Sequence, residues 1–403
     1  MQQELSEYLE NAFSLTDTDL TYGDGLTGSA RLSGALSTFL NAYFRPHRPV
    51  LSDHLFIGAG VMSLLDQVVS VLADPGDGVL ISVPYYPGFD PCITLHNGVV
   101  PVGAQVPLDK MLTLGELDYL EDALRAATRR GVSVKAVLLC NPHNPLARCY
   151  PREVVEAYCQ FCERHGLHLL ADEVFALSVF APHGATPPPQ PFYSVLALDA
   201  DRLGVNPARL HVLYGMSKDF LANGLRAAVL VSQANPDVLQ SLLPAAPFMV
   251  VASPTAVLWA TLLEDKSFLT AFLAENSRRL FAAYERTAAW LAFHGIPHAP
   301  ASAGHFLLAD FRPVLVDVAR YGAALTIHAG HTLEERERAL ATHLLARGVA
   351  VMPGTACHLT EGGWFRLTFA LREEQMRVAF RRIEDALGWD NWQPRRSDIG
   401  PHL

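Results

Sequence analysis

No apolar run in the sequence is long enough to cross a bilayer: the longest, Phe248 to Leu263, is short and is broken by Pro254. The chain opens on MQQELSEYLE, which is acidic and lacks the basic-then-apolar order of an export signal, so neither secretion nor a membrane span is expected. Cysteine is sparse. Six residues (Cys92, Cys140, Cys149, Cys159, Cys162 and Cys357) in 403 make no disulfide framework of a secreted kind, and a reducing cytoplasm fits. Cys159 and Cys162 form a CxxC with His165 nearby, but they fall within a helical pattern and no second CxxC or HxxxH completes a tetrahedral set, so helix packing is expected and a metal is not. Clustered positive charge is missing too. The 31 basic residues are scattered among 41 acidic ones for a net charge of -10, which argues against a nucleic acid or an anionic membrane as partner and leaves small molecules.

What is present is apolar surface: half the residues, enough in a chain of this length for one sizeable domain and a smaller one. Gly23, Gly25 and Gly28 spell GxGxxG, yet no buried strand precedes them and no acidic residue follows at the ribose-binding distance, so they are assigned to a turn. HLFIGAGVMSLLDQVVSVLADPGD reads as a strand, a glycine turn and a helix, whose first NH groups near Met62 to Leu64, with the Ser63 hydroxyl, suit an anion. GVLISVPYYPGFD is a strand that delivers Tyr85 and Tyr86 at its carboxyl end, as a cover for a flat heterocycle or as ordinary core aromatics. VKAVLLC runs into NPHNP, a proline-stiffened turn suited to aiming an amide.

PREVVEAYCQFCERHG is a helix with Pro151 at its start and Gly166 past its end; the strand LHLLADEV then drives Asp172 and Glu173 to its tip. Two carboxylates at a buried strand end are costly unless paired, so a cationic partner for one of them is expected. Residues 181–191 are a proline-rich surface loop. RLHVLYGMSKDFLANGLRAAVLVS places Lys218 just past a buried strand, where open α/β sheets bind ligands and desolvation pushes an amine toward its nucleophilic form; Arg226 lies eight residues on. A lysine for an aldehyde and an arginine for a phosphate suggest a phosphorylated carbonyl cofactor; the competing reading of this stretch is a solvated turn. Beyond it, helices are expected over 253–263 (with Ser253 as cap), 267–294, 332–347 and 373–387, and strands near HFLLADF, GVAVMPG and WFRLTFA.

Taken in order, the tyrosine-glycine bend at Tyr22, GVMS, LADPGD, PYYPGF, NPHNP, ADEV, MSKDF with GLR, PGTACH and GWFRLTFA resemble the pyridoxal-phosphate (PLP) enzymes of fold type I, aminotransferase class I/II, and within them the aminocyclopropane-carboxylate-synthase-like branch. The resemblance implies an α/β protein: a three-layer α/β/α large domain with a mixed, mostly parallel sheet, plus a smaller α/β domain. Its expected limits are an N-terminal segment, 1–44, packing with the small domain and a dimer partner; a cofactor-binding domain, 45–285; a small domain, 286–390; and a tail, 391–403.

The resemblance also implies roles. Lys218 forms the internal aldimine and carries the α-proton, and Asp172 pairs with the pyridine nitrogen. Asn144 donates to the phenolic oxygen, and Tyr86, or else Tyr85, stacks on the ring. Ser63, Ser217, Arg226 and the NH groups around Leu64 hold the phosphate; Tyr22 reaches the phosphate of a neighbouring subunit, hence a homodimer; Arg366 clamps the substrate carboxylate. Duller readings stand beside these: a turn residue at Asp172, a cap at Ser217, a surface arginine at Arg366, and for Glu173 a merely paired carboxylate. Three departures are visible. Phe175 stands where the family carries a hydrogen-bonding tyrosine, Gly215 where it carries a phosphate-binding serine, and an Ala-Glu-Asn element ahead of the first tyrosine is absent, which implies a truncated chain or a pocket open on that side. Amino transfer is the leading activity, with a lyase (carbon-sulfur cleavage or ring closure) or a non-catalytic relative as alternatives.

Overall fold

A computed structural model of the chain describes residues 1–180 and 189–393, so the expected loop at 181–191 and tail at 391–403 fall largely outside the described residues. Among the described residues ten strands form two sheets. The large sheet contains β1 (Leu55–Gly58), β2 (Gly78–Val83), β3 (Val100–Gln105), β4 (Val134–Cys140), β5 (His168–Asp172), β6 (Leu210–Gly215) and β7 (Ala228–Val231), in the order β1-β7-β6-β5-β4-β2-β3. β7 runs antiparallel to both β1 and β6, while β3, β2, β4, β5 and β6 pair in parallel. Most of these strands are buried on both faces, which is why they read as continuous apolar runs and not as an alternation.

Helices cover both faces of the sheet. One face packs Val137, Leu169, Val212 and Tyr214 against the helices Ala30–Tyr43, Arg152–His165 and Ser253–Glu264. The other packs Leu138, Leu170, Leu213 and Phe56 against the helix Val61–Leu72. Local chemistry sets the helix ends: the Ser29 hydroxyl accepts from the Leu32 NH, and Gly166 closes its helix at φ 67°. Ser253 is the first residue of its helix and not the cap, a position held by Ala252. Cys159 and Cys162 are buried in the helix Arg152–His165 among core residues, with both sulfurs free. The helix Gln2–Ala12 lies on the long helix Lys266–Phe293, with the Tyr8 ring stacked 3.8 Å from that of Phe268.

The smaller antiparallel sheet has the order β8-β10-β9, from β8 (Phe306–Asp310), β9 (Met352–Pro353) and β10 (Trp364–Thr368). The run GVAVMPG supplies only the two residues of β9. Arg366 stands in the central strand, opposite Leu308 on one side and Met352 on the other.

Candidate active site

Strand direction assembles the site. The parallel strands all finish at one edge of the large sheet, where β7 begins: Cys140 lies level with Asp172, Asp172 with Leu213, and Ala228 with both Gly58 and Gly215. The turns leaving that edge carry Gly60 and Ser63, Tyr85 and Tyr86, Asn144, Lys218 and Arg226, which is where an open α/β sheet presents its ligand crevice.

Lys218 sits in the single-turn helix Met216–Asp219 directly after β6. Burial lowers its pKa, and Arg366 and Arg226 lower it further, while the Asp172 carboxylate opposes them. Its ammonium nitrogen stands 5.6 Å from the centre of the Phe175 ring. Asp172 is buried at the tip of the adjacent strand; its Oδ1 accepts from the Val174 NH at 3.1 Å, and burial raises its pKa to about 6 against the pull of that NH and of Lys218. Lys218 is thus the cation that Asp172 meets, across space and without an ion-pair contact among the described residues. Glu173 has a different solution. Its Oε2 accepts from the Ser194 hydroxyl at 2.6 Å and its Oε1 from the Val195 NH at 2.8 Å, and burial pushes its pKa up to about 8.

A cradle for an anion lies beside them. Gly60, at φ 98°, precedes the helix Val61–Leu72, and a Cβ built on it would fall 2.4 Å from Nη2 of Arg226. The guanidinium therefore rests on bare backbone at a helix N-terminus. Its Nη1 donates to the Asn223 carbonyl at 2.8 Å, while Arg226 itself takes the left-handed conformation, φ 53°. The Ser63 hydroxyl donates back to the Ala59 carbonyl at 3.2 Å. Ser217 and Leu64 occupy the first turns of the two helices at this edge, Ser217 half-buried and Leu64 buried in the core, where its NH is spent on the Gly60 carbonyl at 3.1 Å and is not free for an anion as expected. Gly215 admits no side chain without movement, since a Cβ there would lie 2.9 Å from the Ala227 carbonyl oxygen.

The two tyrosines diverge. Tyr85 is buried, donates to Asp90 Oδ1 at 2.6 Å and packs its ring 4.3 Å from His358; Tyr86 is half-buried, with the Arg366 guanidinium 5.9 Å from its ring centre. Asn141 stiffens the NPHNP turn by accepting from the Tyr150 NH and donating to the Tyr193 carbonyl. Asn144 accepts from Nη1 of Arg366 at 2.9 Å, which leaves its NH2 group to donate. Arg366 lies 4.7 Å from the Phe306 ring, and its Nε is buried without a partner among the described residues. Tyr22 is apart from all of these, 88% exposed in the turn before helix Ala30–Tyr43.

Four residues that had not been singled out in the sequence also lie about the site: Ser178 after β5, Asp219 at the end of the helix after β6, His305 just before β8 and Phe306 at its start. The one available signal was composition, a histidine in AGHF and a second acid in SKD.

The residues fit a phosphorylated pyridine aldehyde: a desolvated amine, a buried carboxylate one strand away, and an arginine over an unobstructed helix start. Such a crevice in a doubly covered, mostly parallel sheet with a second small sheet defines an α/β enzyme of the fold type I class. The family described as aminotransferase class I and II matches residues 13–383, and the chain belongs to it. It is 34% identical to a protein described as probable aminotransferase gliI of Aspergillus fumigatus, over 97% of this chain and 87% of that protein. It is 32% identical to 1-aminocyclopropane-1-carboxylate synthase 1 of Oryza sativa subsp. indica, over 92% of this chain and 74% of that one, in keeping with the synthase-like branch. Among solved structures the aromatic aminotransferase of Pyrococcus horikoshii superposes with a TM-score of 0.73 at 20% identity, over 96% of this chain and 92% of that one. The protein is therefore an enzyme of aminotransferase type.

Proposed function

We propose that the chain is a PLP-dependent aminotransferase acting on an α-amino acid or a metabolite derived from one, with Lys218 as the residue that joins the cofactor. The observation that carries this reading is the pairing of a desolvated Lys218 with a buried Asp172 at the ends of adjacent strands. When bound, PLP supplies an aldehyde for the amine and a ring that accepts the electrons of a bond broken at the substrate α-carbon. Asp172 holds a proton at the ring nitrogen, Tyr86 covers the ring, and the Asn144 NH2 donates to the phenolic oxygen. Arg226 and the NH groups after Gly60, with the Ser63 and Ser217 hydroxyls, bind the phosphate. Arg366, whose Nη1 also donates to Asn144, fixes the substrate carboxylate, and Lys218, once free, moves the α-proton.

The test is direct. PLP-saturated protein reduced with borohydride carries the adduct on the peptide containing Lys218, and Lys218→Ala stays colourless; colour and adduct persisting in Lys218→Ala would overturn the assignment.

A second reading, a lyase, is favoured by the similarity to 1-aminocyclopropane-1-carboxylate synthases. Keto acid accumulation with an acceptor supports transfer, whereas pyruvate, ammonia and thiol support elimination. Tyr22, Leu20 and Phe248, at 88%, 74% and 91% exposure, are large apolar side chains left in water, and the Met249 carbonyl next to Phe248 accepts from the Ala59 NH in the turn before Gly60. They support a homodimer with a second copy seated beside the anion cradle; sedimentation at the monomer mass would refute it. Among the described residues no helix is long and apolar enough to cross a membrane.

A further inference from the structure

The turn that leaves β2 carries two neighbouring tyrosines with different surroundings. Tyr86, the ring cover on the reading above, lies against Gly88, where an added Cβ would fall 2.3 Å from its Cε1, and meets the Phe89 ring edge to face at 5.6 Å. The Arg366 guanidinium stands 5.9 Å from its ring centre, and among the described residues no hydrogen bond joins the two side chains. A carboxylate held by Arg366 and a ring covered by Tyr86 react only at a set separation, so that gap has to be fixed from elsewhere.

It is fixed one residue away. The Tyr85 NH donates to the Cys357 carbonyl at 3.1 Å, in the turn that follows β9. The Tyr85 hydroxyl donates to Asp90 Oδ1 at 2.6 Å, Oδ2 of the same carboxylate accepts from His358 Nε2 at 2.8 Å, and the His358 ring lies 4.3 Å from that of Tyr85. These contacts close a ring through Tyr85, Asp90, His358 and Cys357, which joins the turn after β2 in the large sheet to the turn after β9 in the small one. His358 holds φ 65°, a left-handed conformation uncommon for a residue with a side chain and kept where the surroundings impose it. The turn is anchored on its far side as well: buried Glu337 accepts from the Thr355 NH at 3.0 Å, from the Thr355 hydroxyl at 2.6 Å and from the Gly363 NH. From Gly363 the chain runs directly into β10, where Arg366 pairs with Met352 of β9. Both sides of the gap between Tyr86 and Arg366 are therefore tied to the same clamp.

We propose that His358 is a positioning residue: through Asp90 and Tyr85 it holds the turn after β9 against the turn after β2 and so sets the separation of Arg366 from Tyr86. His358 itself touches neither substrate nor cofactor in this role. The inference rests on the reading above, in which Arg366 takes the substrate carboxylate and Lys218 joins PLP.

The experiment uses the PLP-saturated full chain and two oxyamines as probes: aminooxyacetate, which has a carboxylate, and O-methylhydroxylamine, which has none. Each condenses through its NH2 with the bound aldehyde to give an oxime and leaves the Lys218 amine free, and the change in absorbance gives the rate. His358→Ala lowers the ratio of the aminooxyacetate rate to the O-methylhydroxylamine rate about tenfold, through the first rate alone. His358→Gln carries the same backbone conformation but restores an NH donor near the place of Nε2, and its ratio stays within about threefold of native. Hydrogen exchange followed by peptide mass on the cofactor-free chain is the second readout: peptides covering 84–92 and 354–361 exchange about fivefold faster in His358→Ala, while those covering β4, β5 and β6 are unchanged. A His358→Ala ratio within about twofold of native, a His358→Gln ratio as low as that of His358→Ala, or faster exchange throughout the large sheet overturns the proposal. Oxime formation at an unchanged ratio sinks only the clamp, whereas a native chain whose absorbance responds to neither oxyamine sinks the assignment of Lys218 with it.

Discussion

Replacing Gly60 with alanine tests the anion cradle at its narrowest point. The residue lies at φ 98° and ψ 155°, a region open almost only to glycine, where a side chain costs about 1–3 kcal/mol of backbone strain. The new methyl also falls 2.4 Å from Nη2 and 3.1 Å from Cζ of Arg226. Because the arginine tip is flexible and the Gly60 backbone is not, the guanidinium gives way. Losing its charge-assisted hydrogen bonds to a phosphate forfeits about 1.5–3 kcal/mol, or about 10- to 150-fold in affinity. The assay is a titration of cofactor-stripped protein with PLP and, in parallel, with pyridoxal, which has the aldehyde and ring but no phosphate. Gly60→Ala weakens binding of PLP by that factor and of pyridoxal far less. In an Arg226→Ala background the clash is gone, so the Gly60→Ala effect on PLP affinity shrinks to what the strain alone contributes. Equal losses for the two ligands, or an undiminished effect in the arginine-free background, would refute the cradle.

Two further outcomes follow from the same geometry. Arg366→Lys removes the fork that reaches Asn144, so kcat/KM for an amino acid falls about 10- to 100-fold, mostly through KM, while turnover of the matching amine without a carboxylate is unaffected; steady-state kinetics on the pair decides it. For Glu173, the folded pKa of about 8 lies above its ordinary value near 4.5, so the folded chain holds a proton that the unfolded chain has lost; the group's stabilising contribution is full below about 4.5 and is lost as pH rises toward 8, at up to about 1.4 kcal/mol per pH unit. Glu173→Gln removes this slope, so denaturant midpoints of variant and native chain converge in acid and separate toward pH 8; parallel curves would show that the carboxylate stays ionised.

Local pattern made the scaffold legible. β5 and β6 are apolar runs that end in polar residues, so Asp172 and Lys218 could be placed at strand tips from the order of residue types alone, and Pro151 with Gly166 bracketed a helix within a residue of its observed ends. Pairings between distant segments were not legible. Glu173 finds Ser194 and Val195 and not a cation, because a hydroxyl and an amide in an unremarkable loop carry no sequence signal. Gly60 and Arg226 are far apart in sequence and meet only because β1 and β7 are neighbours in the sheet. GVAVMPG has the composition of a strand but keeps two residues in one, since β9 pairs only with the short stretch of β10 at Phe365 and Arg366. Tertiary pairing, and not propensity, fixed each of these.

The departures from the family pattern take on a different meaning once packing is considered. Gly215 is level with Ala228 across the β6–β7 pair, and a side chain there would press on the Ala227 carbonyl and the Ala228 methyl, so a serine is excluded by the close approach of these strands. On the function proposed above, a phosphate would then depend on Arg226, for which Gly60 leaves room. Phe175 is likewise held on its flanks by His305 and Phe306, each edge to face at about 5.5 Å, and Phe306 in turn contacts Arg366. A site decaying into a mere binding fold would shed its costly groups first. Here a buried carboxylate, a desolvated lysine and an arginine with an unpartnered buried nitrogen are all retained, and each destabilises the free chain unless a ligand engages it. Keeping that expense while altering the residues around it argues for chemistry adapted to a particular substrate over a relative that has lost its chemistry.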